Sequence, residues 1–194
     1  MTATDTQEQI LDAVLSVIVR NGVQGLTFRA VAAEADVALG SLNYHFDDKE
    51  ALIAAAFRRA AENVIDATEG SVAHIDDPDE AVRAFIRGVL SAEFLNEDYL
   101  ALRLSLWAVG RFAPDISAIN AEIHARYRDE LGRLITRARP ELSRDQALDR
   151  VTDLMMVQFG LWVTWTWQPD PRALERCLTR CEQIALGELA DFEQ

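Results

Sequence analysis

The 194-residue chain is 49% apolar and carries 19 basic against 32 acidic side chains, a formal net charge of −13. That apolar share supports a packed core and excludes a disordered chain. The charge has the wrong sign for a protein that grips nucleic acid through a broad basic surface. Residues 1–50 are acidic in their own right, with Arg20, Arg29 and Lys49 set against Asp5, Glu8, Asp12, Glu34, Asp36, Asp47, Asp48 and Glu50.

The N-terminus is polar and lacks the apolar run of a secretory leader, which predicts a cytoplasmic protein. Thr6 with Gln9 reads as a capping box for a first helix. Its stripe is Ile10, Leu11, Val14, Val17 and Ile18, and Asn21-Gly22 stops it. Thr27 is a good N-cap for a short second helix, Phe28 to Ala35. The tight break Asp36-Val37 leads into a third, Ala38 to Phe46, carrying Ser41, Asn43, Tyr44 and His45. Two short helices across such a break, the second rich in small and hydrogen-bonding side chains, form a helix-turn-helix pattern. Asp47 with Glu50 resembles a capping box for a longer helix with Lys49 in its first turn. That helix bears Leu52, Ile53, Ala56, Phe57 and Val64 and should end between Gly70 and Ile75.

Asp77-Pro78 restarts the helical spacing, with Val82, Phe85, Ile86, Val89 and Leu90 on one stripe and Asn96 as the break. A further helix carries Leu100, Leu104 and Trp107 and ends near Gly110. Pro114 and Asp115 open the next, with Ile116, Ile119, Ile123, Tyr127, Leu131 and Leu134, ending before Pro140. Ser143 with Gln146 caps a long helix through Trp167, and Asp170-Pro171 caps the last, with Leu174, Leu178, Cys181, Ile184 and Leu189. The most apolar run, Leu154 to Trp167, is too short to span a bilayer and contains Gln158, so no membrane partner is expected. Cys177 and Cys181 share a helix face, and a cytosolic setting favours free thiols.

The spacing therefore predicts an all-α fold of about nine helices. An N-terminal three-helix helix-turn-helix unit, residues 1–50, extends into a linking helix over 48–75. A helical bundle fills 51–194. An enzyme on such a bundle is disfavoured. His45, His74 and His124 stand in no Glu-x-x-His or His-Glu-x-x-His pattern, the cysteines have no second pair or nearby histidine, and no glycine-rich phosphate loop occurs. No catalytic residue, metal or cofactor is expected. A helical adaptor that has lost operator binding is the remaining alternative, and the acidic N-terminal unit and Asn43 favour it slightly.

The pattern Ile10-Leu11-Asp12-Ala13, Gly22, Leu26-Thr27, Val31-Ala32, Ala35-Asp36-Val37, Gly40, His45-Phe46, Lys49 and Leu52 resembles the TetR family of one-component transcriptional regulators. The resemblance is dense over residues 6–57. It implies that the first three helices bind DNA and that 51–194 binds a ligand and dimerises, the last two helices forming a four-helix interface. It also implies a repressor that holds a palindromic double-stranded operator and is released by a small molecule. That family usually has tyrosine two residues before this histidine, where Asn43 stands here. Some members lack it, including the choline-responsive BetI type, which the Trp107 region and the C-terminal helices also resemble.

On this reading Thr27, Arg29, Ser41, Tyr44 and Lys49 contact phosphate, while Leu39, Gly40, Ser41, Asn43 and Tyr44 face base edges. Lys49 in a helix first turn is locally unfavourable unless an anion lies nearby. It either meets phosphate or offsets its acidic neighbours. His45 packs or donates to phosphate, Leu42 belongs to the core and Leu39 to the outside. Asn43 either reads adenine or fills space. So few contacts require a two-fold dimer. The stripes Leu148, Val151, Leu154, Met155 and Phe159, then Leu174, Leu178, Cys181 and Ile184, are its candidate faces. The bundle's aromatic set includes Phe85, Phe94 and Phe112. From it Tyr99, Arg103, Trp107, Tyr127, Phe159 and Trp162 are the candidate effector residues, able to line an apolar site or hold a quaternary ammonium by cation–π attraction.

Overall fold

The computed structural model describes residues 3–110 and 113–187, without the side chains of 3, 4, 106, 109 and 110. Among these residues there are nine α-helices, one 3-10 turn at Val23–Gly25 and no strand. The helices are α1 (Ala3–Asn21), α2 (Phe28–Glu34), α3 (Leu39–His45), α4 (Lys49–Val72), α5 (Pro78–Val89), α6 (Glu97–Gly110), α7 (Pro114–Ala138), α8 (Arg144–Trp165) and α9 (Pro171–Leu186). Phe112 and Leu189 lie outside the described residues. No described helix is long and apolar enough to cross a membrane.

Most boundaries follow the side chains that satisfy orphan helix-end N–H groups. Thr27 accepts from the Ala30 N–H at 3.1 Å and Asp77 from Glu80 at 2.8 Å. Ser143 and Gln146 form a reciprocal capping box, and Asp170 accepts from Arg172 ahead of Pro171. Gly22 takes the left-handed backbone (φ 66°) that ends α1.

Two caps differ from expectation. Thr6 lies inside α1, which already runs from Ala3. Gln9 instead donates to the Ala35 carbonyl at 2.7 Å and ties α1 to the end of α2. The cap of α4 is Asp48 rather than Asp47, for its carboxylate accepts from the Ala51 N–H at 2.7 Å. Phe46 is extended and buried, so the chain uses both aspartates to turn before the helix starts.

The chain packs as two compact units. The first holds residues 1–63 and 97–122, which adds α6 and the start of α7 to the three N-terminal helices. The second holds 64–96 and 123–194. The packing division falls inside α4 and α7. Ile10, Val14, Leu26, Val31, Leu42, Leu52 and Phe57 are buried in the first unit. Phe85, Ile86, Leu131, Ile135, Val151 and Leu154 are buried in the second.

The stripes expected to face a partner are covered in part within the second unit, with Leu148, Met155, Phe159 and Leu174 half-buried. Val151 and Leu154 are fully buried, and Leu178, Cys181 and Ile184 are 6%, 0% and 6% exposed. The reason is that both α5 and α8 pack on α9. The order of elements along the chain does not reveal α5 as a neighbour.

Candidate functional site

In the first unit, α2 and α3 pack together across a turn in which Asp36 adopts a left-handed backbone (φ 50°) and the Val37 N–H bonds the Ala32 carbonyl at 3.0 Å. Asp tolerates this conformation better than most residues. Leu42 is fully buried and anchors α3 with Phe46. The opposite face then presents Leu39, Gly40, Asn43 and Tyr44, spaced so that they share one side of the helix. Leu39 is 40% and Tyr44 83% exposed. A Cβ placed on Gly40 would meet nothing within 4 Å, so the backbone is open to close approach. Ser41 and His45 are half-buried, with the His45 ring edge-on to Tyr44 at 5.2 Å.

The unit's cations divide into two kinds. Arg20 pairs with Glu34, which also accepts from Ser16 at 2.8 Å. The Arg20 hydrogen bond holds the Glu34 carboxyl below the usual range. Arg59 reaches Glu8 and Asp12, each at 2.9 Å, and Arg58 reaches Glu122 at 2.9 Å. Among the described residues, Arg29 on α2 and Lys49 at the start of α4 enter no ion pair. Asp5, Glu8, Asp12, Glu34 and Asp36 collect along one groove of α1 and α2, while α3 carries no acidic residue. Thr27 is exposed, but its hydroxyl oxygen is already engaged as a helix cap.

The candidate effector residues fall into one group in each unit. In the first, Tyr99 and Arg103 lie one turn apart on α6, and the two side chains interact electrostatically. The Arg103 guanidinium stands 4.9 Å from the centre of the Trp107 ring and 5.8 Å from Phe57. That arginine is 5% exposed, and burial lowers its proton affinity. Trp107 therefore already has a cation over its ring, which argues against its holding a quaternary ammonium on that face.

In the second unit, Tyr127 on α7 packs its ring 5.3 Å from Phe85 and donates to Gln158 Oε1 at 2.7 Å. Burial pushes its hydroxyl above the usual pKa. Phe159 stacks on His124 at 5.2 Å and meets Trp162 edge-on at 6.1 Å. Gln158 and His124 were not singled out from sequence as site residues. The available signal was a polar side chain inside the chain's most apolar run, flanked at helical spacing by Leu154 and Leu161. Among the described residues, no group of three or more His, Cys, Asp or Glu could hold a metal.

A helix-turn-helix with an exposed second helix, carried on an all-helical chain, defines a class of DNA-binding transcriptional regulators. Residues 10–56 match the family of bacterial regulatory proteins called tetR, and residues 78–190 match the BetI-type transcriptional repressor C-terminal domain. The chain belongs to the tetR family and carries a BetI-type C-terminal domain.

It is 27% identical to the regulator CymR of Pseudomonas putida, over 99% of this chain and 95% of that one. It is 24% identical to the nicotine-responsive repressor HdnoR of Paenarthrobacter nicotinovorans, over 91% and 92%. A crystal structure of a transcriptional regulator from Pseudomonas aeruginosa PAO1 superposes with a TM-score of 0.84 at 24% identity, over 95% of this chain and 90% of that one. The protein is a helix-turn-helix transcriptional repressor and not an enzyme. Regulators of this family bind operator DNA and small-molecule effectors.

Proposed function

We propose that this repressor binds a palindromic operator as a homodimer and releases it when a small molecule occupies the helices beyond residue 50. The observation that carries the DNA-binding part is charge segregation in an acidic unit. Among the described residues, Arg29 and Lys49 stay out of ion pairs, and α3 keeps Leu39, Gly40, Asn43 and Tyr44 outward with no acidic neighbour on its own helix. Arg29, Lys49, Tyr44, Ser41 and Thr27 serve the phosphates, Thr27 through the α2 N-terminus that it caps. His45 supports them by holding the Tyr44 ring. Leu39 and Gly40 approach base edges, and Asn43 can pair bidentately with adenine.

Residues 1–50 then act as the DNA-binding domain and 51–194 as the effector and dimerisation domain, with α4 common to both. Dimerisation is assigned to α8 and α9, through residues still exposed there. Met156 is 67% and Trp167, just past α8, 78% exposed. A Cβ on Gly160 would meet nothing within 4 Å. Among described residues the exposed large apolar side chains are Leu39, Tyr44, Met156 and Trp167, so two lie on the proposed DNA face and two on this one.

Tyr99, Arg103 and Trp107 on α6, with Tyr127, Phe159 and Trp162 on α7 and α8, are the residues assigned to effector recognition. Release requires the effector to bind one arrangement of the dimer more tightly than the other, which shifts the population away from the operator-competent state. The test is footprinting of the purified protein on DNA flanking its own gene at low salt. Protection of a two-fold symmetric site supports the reading. Absence of any protected palindrome defeats it.

A further inference from the structure

Gln158 is 6% exposed, and its side-chain oxygen is satisfied by the Tyr127 hydroxyl. Its Nε2 has no hydrogen-bond partner. A buried amide donor left without an acceptor is destabilising, so a fold that keeps one needs a reason. Tyr127 lies against Phe85, and Phe159, next along α8, is stacked on His124 and edge-on to Trp162.

Among the described residues, nothing acting on the Tyr127 hydroxyl carries a fixed charge. Burial dominates, followed by Gln158 and the Cys181 thiol, and the neighbouring Cys177 together with burial holds that thiol in its protonated form. A charged ligand would lose its hydration here, and the groups acting on the Tyr127 hydroxyl offer it no counter-charge.

We propose that Gln158 Nε2 is the polar anchor of the effector site, and that the effector is an uncharged aromatic molecule bearing a carbonyl oxygen. The oxygen accepts from Gln158, and the ring packs with Phe85, Tyr127, Phe159 and Trp162. Binding completes the Gln158–Tyr127 pair, so the hydrogen bond missing in the free protein appears only in the occupied one. This deepens the proposed effector response and rests on it, but binding can be measured without DNA. Loss of operator recognition would therefore not be confused with loss of this site.

Four probes separate the chemistries: acetophenone, cumene as its analogue of similar size without oxygen, benzoate as the anion and benzyltrimethylammonium as the cation. Calorimetry on the full chain should show acetophenone bound about ten-fold more tightly than cumene, the scale of one buried donor left unmatched. Both ions should bind more weakly than acetophenone. In Gln158→Leu the acetophenone preference should fall to within about two-fold, with cumene binding retained. The Gln158 side-chain NH2 resonances of the wild type should move with acetophenone and stay in place with cumene. Equal binding of the two neutral probes, a preference that survives Gln158→Leu, tighter binding of either ion, or no binding of any probe would each overturn the proposal. If Gln158→Leu does not fold, Gln158→Met and the wild-type amide resonances decide the matter.

Discussion

Arg29 and Lys49 differ from Arg20, Arg58 and Arg59 in one respect: no carboxylate among the described residues holds them. A cation already paired must give up its partner before it can meet phosphate, while an unpaired one displaces only water and counterions. Each phosphate neutralised adds about one unit to the slope of log affinity against log salt. Arg29→Ala and Lys49→Ala should therefore each lower that slope by about 1 on any duplex, read by fluorescence anisotropy across a salt series. Asn43→Ala should leave the slope unchanged and cost about 1–3 kcal/mol only on the cognate site. If Asn43→Ala lowers the slope instead, the residue serves the backbone as the usual tyrosine does. Arg59→Ala, with Glu8 and Asp12 freed, gives the contrast: it should act on stability and leave the slope alone.

At the scale of elements, single caps and cross-helix pairs decide where helices sit. Thr27→Ala removes the acceptor for the Ala30 N–H and should cost about 1 kcal/mol in urea unfolding. It should also weaken operator binding, because α2 sets the position of α3. Asp79 at the start of α5 accepts from two nitrogens of Arg139, at 2.8 and 3.1 Å, and that guanidinium holds its carboxyl below the usual range. A depressed folded-state pKa adds stability above the unfolded value, near 4, which is lost as pH falls through the folded value. Asp79→Asn should lower Tm at pH 7 and converge with the wild type once the pH has fallen below the folded-state value, giving a shallower acid limb in a melting series. Equal acid limbs would show that the pair contributes nothing.

These elements also show what was legible beforehand. The caps at Thr27, Asp77, Ser143 and Asp170 and the stop at Asn21-Gly22 are local, so the sequence reveals them. The Gln9 bond to Ala35 and the cover that α5 gives to Leu178, Cys181 and Ile184 depend on residues far along the chain, and periodicity carries no such information. The same limit hid the pairing of Tyr127 with Gln158. The spacing marks both as inward-facing but not as partners.

For the whole molecule, the assignment of α8 and α9 to the dimer rests on what remains outward once their stripes are covered internally. Met156 and Gly160 are one turn apart on α8, and Trp167 lies two residues past its end. A glycine between large exposed apolar residues lets a second helix come close. Gly160→Arg fills that space with a charged side chain in every copy at once, because a two-fold interface presents the same patch from both sides. The residue is exposed, so thermal stability of the isolated chain should change little beyond any dimer contribution. Sedimentation should show a monomer where the wild type is a dimer. Operator affinity should then fall by two to four orders of magnitude, since each half-site loses the effective concentration that the linked copy supplies. Binding to an isolated half-site should match that of the wild type, which separates loss of pairing from damage to α3. A Gly160→Arg protein that remains dimeric would move the interface away from this face of α8.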